Sequence, residues 1–172
     1  MSFRRWASTV QAVLDRLATP KARFAVAGAL AALWLLSLAL PALRTVFVPL
    51  NEPITLFGGQ ILLSGFVALA HFQPGWFANI FLIGVLLGAT STSIGRRFHT
   101  VNAVLLVLCS LATFDLALQP QFYGHVVFLP GYFTWIAANL LAATYGLAVG
   151  SASQWRHSNA GRDLQVPSSP RA

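Results

Sequence analysis

Charge is what this sequence has least of. Only 15 of its 172 residues are charged, 11 Lys/Arg and 4 Asp/Glu, where an ordinary soluble domain carries about a quarter. Between Phe24 and Trp155 the charged residues are Arg44, Glu52, Arg96, Arg97 and Asp115, too few to build a surface facing water. Cys109 is the sole cysteine, so no intrachain disulfide can form. The histidines, His71, His99, His125 and His157, show no zinc or haem spacing with Cys109. The sequence also lacks a phosphate-cradling glycine loop, a GxxxxGK element and a recognisable Ser/His/Asp context. The expectation is therefore no cofactor, no metal, no assigned catalytic residue and a non-enzymatic role.

What is present is apolar length. Hydrophobic residues make up 56% of the chain, gathered into runs long enough to cross a bilayer at about 1.5 Å of helix rise per residue. The expected fold class is all-α: a polytopic helical membrane protein with spans near 24–43, 76–94, 100–118 and 131–150. Residues 54–72 are apolar but carry Gly58, Gly59, Gln60, Ser64, Gly65 and His71. They read as a re-entrant or broken helical hairpin, with a fifth span as the alternative. Ahead of the spans, residues 1–20 place Phe3, Trp6, Val10, Val13, Leu14 and Leu17 at helical spacing opposite Arg4, Arg5, Asp15 and Arg16. That is the pattern of an amphipathic helix lying in the cytoplasmic interface. Residues 151–172 have little to bury and read as a flexible cytoplasmic tail.

The net charge of +7 raises nucleic acid as a partner, but the basic residues do not form a binding stripe. They flank the apolar runs instead: Arg4, Arg5, Arg16, Lys21 and Arg23, then Arg96 and Arg97, then Arg156, Arg162 and Arg171. With four crossings and a cytoplasmic N-terminus, ten basic residues face inward and Arg44 alone faces out. Five crossings divide them five against six. The positive-inside bias thus favours four crossings with both termini cytoplasmic. Ten of the eleven basic residues are Arg, which together with abundant Ala and Leu suggests a GC-rich bacterial genome and an inner-membrane location. Pro74-Gly75-Trp76-Phe77 recurs as Pro130-Gly131-Tyr132-Phe133, so the helices that follow should run in the same direction.

A charge inside a membrane is costly, which makes polar residues the informative ones. Arg44, Glu52, His71, Asp115 and His125 fall at the expected outer face and form a candidate polar cluster. It would act either as an ion-pair packing device or as a titrating pocket. Asn79, Asn102 and Asn139 suit interhelical hydrogen bonds, and Trp76, Phe77, Tyr132, Phe133, Trp135 and Trp155 suit interface belts. Gly84, Gly88 and Thr92 form one row of small residues, and Ala138, Ala142, Gly146 and Gly150 another, the form of close helix-packing faces. The expected partners are the lipid bilayer and other membrane subunits or a second copy. The expected function is an accessory, assembly or stabilising subunit of a membrane complex. The alternatives are a small oligomeric transporter or channel using Asp115 and the Gly58-Gly59 break, and an interfacial lipid-modifying enzyme.

Overall fold

The computed structural model describes Thr9, Ala12 and residues 19–47, 52–70, 74–91, 94–114 and 126–163. Helix α1 (Pro20–Ala39) starts where Thr19 accepts a hydrogen bond from the Ala22 amide at 3.4 Å and Pro20 supplies a preset φ. It stops because Leu40 precedes Pro41, and the proline ring drives its predecessor to extended backbone, here φ −91° and ψ 152°. The chain then enters strands β1 (Pro41–Phe47) and β2 (Glu52–Phe57), an antiparallel pair with Leu43 opposite Leu56 and Arg44 opposite Thr55. Helix α2 (Gly58–Ala70) follows at once, its start held by Gln60, whose side-chain oxygen accepts from the Phe57 amide at 2.9 Å.

A 3-10 turn at Pro74–Phe77 leads into α3 (Ala78–Thr90), and α4 (Arg96–Ala112) returns. Strand β3 (Val127–Phe128) pairs with β1 to complete a sheet of order β2-β1-β3, and α5 (Pro130–Asp163) closes the described chain.

Contacts fix the directions. Gly84 lies beside Asn102 and Gly88 beside His99, so α3 and α4 are antiparallel; Gly146 lies beside Ala103 and Tyr132 beside Thr113, so α4 and α5 are as well. Tyr145 reaches Arg23 while Trp34 and Trp135 meet at Asn79, so α1 opposes α5. α1, α3, α4 and α5 thus alternate in direction around one core, and the helices after the two Pro-Gly-aromatic-Phe elements run parallel. The core is built largely of small residues, with Ala78, Ala89, Ala103, Ala142 and Ala143 around Leu82, Val85 and Leu106. Small side chains let helix backbones approach closely.

This architecture corrects the all-α, four-span expectation. The described residues hold five helices and a three-stranded antiparallel sheet, and residues 41–43, assigned to the first span, are strand. Among the described residues only Pro20–Ala39 and Pro130–Ser151 are long and apolar enough to cross a membrane; Pro74–Thr90 and Arg97–Ala112 fall short. The window in the second of these crossing-length helices is also 44% buried, as in a core helix. The five-span alternative and the re-entrant hairpin fail together, because residues 54–70 divide between β2 and α2. Gly58-Gly59 opens a helix instead of breaking one. Gly58 is required there by close approach: an added Cβ would run into the Ser37 carbonyl oxygen. The amphipathic helix expected over 1–20 lies outside the described residues apart from helical Thr9 and Ala12 and the start of α1 at Thr19-Pro20. Residues 151–163 of the expected tail continue α5 as helix.

Candidate functional site

Of the expected polar cluster, Arg44 lies in β1, exposed, opposite Thr55 on one side and Val127 on the other. Glu52 begins β2 opposite Phe47, three positions along β1 from Arg44, about 10 Å at the rise of a strand. His71, Asp115 and His125 lie outside the described residues. Of the five, the described residues thus include only Arg44 and the backbone of Glu52.

The rows of small residues are used within the chain. An added Cβ at Gly84 would meet the Asn102 side chain at 2.7 Å, and one at Gly88 would meet Phe98 and His99. Ala138 and Ala142 are fully buried, and Gly146 packs on Val85 and Ala103. Gly150 is buried as well, and Thr92 lies outside the described residues. The α3 row therefore seats α4, and the α5 row seats α3 and α4.

The polar constellation that does form is one the sequence pattern left scattered. Asn79, at the start of α3, is buried, and its Oδ1 accepts two indole N–H bonds, from Trp34 of α1 at 3.1 Å and from Trp135 of α5 at 3.0 Å. Its Nδ2 donates to the Trp76 carbonyl at 3.2 Å. One amide thus ties three helices, using both lone pairs of its oxygen. Trp76 in turn donates its indole N–H to the Leu62 carbonyl at 3.0 Å, fastening α2 to the bundle. The repeat explains part of this. Trp135 stands 56 positions after Asn79, as Pro130 does after Pro74, so the two occupy equivalent first turns of parallel helices. Tyr132, in the place equivalent to Trp76, shares a 2.6 Å hydrogen bond with Thr113 and stacks on Phe128 at 4.2 Å between ring centres. Of the aromatic residues read as interface belts, Trp76 and Trp135 thus tie helix to helix and Tyr132 ties the bundle to its sheet, while Phe77 and Phe133 stand exposed and the side chain of Trp155 lies outside the described residues.

Three other buried polar groups have no such satisfaction. Asn139 is fully buried and neither its amide nitrogen nor its oxygen has a partner; Arg23 Nε and His99 Nδ1 are buried in the same condition. Burial and the nearby Arg23 charge hold the His99 imidazole below its ordinary pKa, opposed by a hydrogen bond to the Ile94 backbone. Nothing along the chain links positions 23, 99 and 145, which is why this group escaped sequence reasoning.

The outside of the bundle is the inverse of its interior. Leu36 of α1, Leu63 of α2, Leu87 of α3, Leu108 of α4 and Leu141 of α5 are each more than half exposed, while Ser37, Asn79, Ser110 and Asn139 are buried. A groove between α4 and α5, lined by Ala103, Val104, Val107, Leu108 and Leu147, is apolar throughout. Among the described residues no three His, Cys, Asp or Glu side chains are placed to hold a metal ion. No protein-family model, no curated protein and no solved structure matches this chain.

Proposed function

We propose that this protein resides in a lipid bilayer, in a bacterial inner membrane, and acts without catalysis as an accessory or assembly subunit of a larger membrane complex. The observation that carries the reading is the inside-out distribution of polarity. Large aliphatic side chains stand exposed on all five helices while amides and hydroxyls are buried among them. In water, leaving a Leu exposed forgoes about 1.5–3 kcal/mol of burial, and monomeric soluble proteins rarely expose contiguous apolar patches of more than a few hundred Å². In lipid the same surface carries no penalty, and polar side chains turn inward. Because both small-residue rows are occupied within the chain, a partner would meet the aliphatic outer faces.

Photo-crosslinking residues substituted in cells for Leu87, Leu108 and Leu141, with fully buried Leu82 as control, test this reading. The expected result is a membrane-fraction protein captured reproducibly from at least one exposed position and from none at Leu82. Adducts to lipid alone, with the purified protein monomeric, would refute the accessory role. Recovery in the soluble fraction would refute membrane residence too.

A further inference from the structure

Three helices meet around a buried positive charge at one end of the bundle. Arg23 stands in the first turn of α1 and is 7% exposed; His99 stands in the first turn of α4 and is 1% exposed. Tyr145 of α5 donates its hydroxyl to the Arg23 carbonyl at 3.1 Å, which pins that turn across the bundle. α1 and α4 both run antiparallel to α5, so their first turns, with Arg23 and His99, lie at the same end of the bundle, where the Arg23 charge acts on His99. The Nε of Arg23 is buried without a hydrogen-bond partner, and so is the Nδ1 of His99. Neither α1 nor α4 has an acidic residue in its first turn, and α4 begins at Gly95 with no side-chain cap. The positive ends of two helix dipoles therefore add to the guanidinium, with Lys21 and Arg97 exposed alongside. A buried guanidinium nitrogen without a hydrogen-bond partner is costly, and a bound anion would supply that partner.

We propose that Arg23 and His99 form a binding site for a phosphate-type oxyanion. A tetrahedral oxyanion suits the place because its several oxygens can take the Arg23 N–H groups together with first-turn amides of α4 other than that of Phe98, which is bonded to the Gly95 carbonyl at 3.1 Å. His99 Nδ1 joins as a further donor when the bound anion draws a proton onto the ring. The anion is either free phosphate or the phosphate of a lipid headgroup, which present the same chemistry. The site does not depend on the accessory role, since loss of phosphate binding would leave the crosslinking result unchanged.

The test uses the full chain purified in an uncharged detergent, with the thermal unfolding midpoint as readout. One series receives sodium phosphate, a second receives mixed micelles containing phosphatidylglycerol, and sodium chloride of matched ionic strength is the control. The expected result is a rise above the chloride control in one series. A rise with sodium phosphate identifies the free anion; a rise with phosphatidylglycerol alone identifies the headgroup. Arg23→Gln should weaken the apparent affinity about tenfold to a hundredfold, the scale of a charge-assisted hydrogen bond. Without phosphate the same variant should unfold at or above the wild-type midpoint, because it removes a buried guanidinium nitrogen without a hydrogen-bond partner. Arg23→Lys, which keeps the charge but loses the planar fork, should bind with intermediate affinity and serves if the glutamine variant does not fold. No rise in either series, or a rise that survives Arg23→Gln intact, overturns the proposal.

Discussion

The Asn79 amide gives the sharpest energetic test of the fold, because one side chain serves three helices. Asn79→Ala removes the acceptor of two indole N–H groups, Trp34 at 3.1 Å and Trp135 at 3.0 Å, and the donor to the Trp76 carbonyl at 3.2 Å. Two limits bracket the cost. Hydrogen bonds between membrane helices average about 0.6 kcal/mol because the unfolded chain in lipid finds substitutes, so three such bonds amount to about 2 kcal/mol. A polar group left buried and unpaired costs about 1–3 kcal/mol, and the indoles are partly buried, so two orphaned N–H groups set an upper range of about 4 kcal/mol. The expected loss is therefore about 2–4 kcal/mol, read from reversible unfolding in mild detergent by near-ultraviolet circular dichroism, to which the indoles contribute. Trp34→Phe removes one donor and leaves the amide its second indole, so it should cost only about 1 kcal/mol. The Trp34→Phe, Trp135→Phe double variant should then cost more than its parts, since it alone strips Asn79 Oδ1 of every partner. An Asn79→Ala protein within about 0.5 kcal/mol of wild type, or a strictly additive double variant, would refute the shared-acceptor account.

Further predictions follow from particular contacts. Gly131→Ala should destabilise by about 1–3 kcal/mol, because the new Cβ would lie 2.8 Å from the Leu40 and Pro41 carbonyl oxygens, which are backbone and cannot step aside. Gly28→Ala meets nothing within 4 Å and should stabilise α1 by about 0.5–1 kcal/mol; equal effects of the two changes in thermal unfolding would contradict the packing described. Tyr132→Phe loses the 2.6 Å bond to Thr113 while keeping the stack on Phe128, so it should cost about 1 kcal/mol. Without a bound anion, acidification should weaken the fold. The folded state holds His99 below its ordinary value, so the unfolded chain takes up the proton first and stability falls as pH drops through about 6.5. Among the described residues, the charged group that acts on His99 is Arg23 of α1. His99→Gln should therefore flatten the profile between about pH 7.5 and 5.5, and an unchanged slope would show that His99 is not responsible.

Much of the helical framework was legible in one dimension. Phe24–Leu40 lies within a charge-free apolar run, and a helix was its economical reading; the paired Pro-Gly-aromatic-Phe elements marked two parallel helix starts. The sheet was not legible. β1 is completed by β3 more than 80 residues later, and its segment has enough apolar residues to pass as the end of a span. The signals were Pro41, which forces Leu40 out of helix, and the β-branched and aromatic residues Thr45, Val46, Phe47, Ile54 and Thr55 on either side of a short connection. The small-residue rows were visible as rows, but whether they faced a partner or this chain depended on side-chain contacts that periodicity does not encode.

The sequence by itself determined that the chain is helical in the main, with apolar residues far in excess of what one small core can hide, and that its basic residues gather at the ends of the apolar runs. Composition and spacing suffice for this, because they are local properties of a helix and its flanks. Only the tertiary structure decided that Asn79 would gather Trp34 and Trp135, and that Arg23 would meet His99 and Tyr145 across 122 positions from the last of these. It also decided that the small-residue rows would be spent inside the bundle. These outcomes depend on which helix faces meet, and that choice is made by the packing of the whole chain at once.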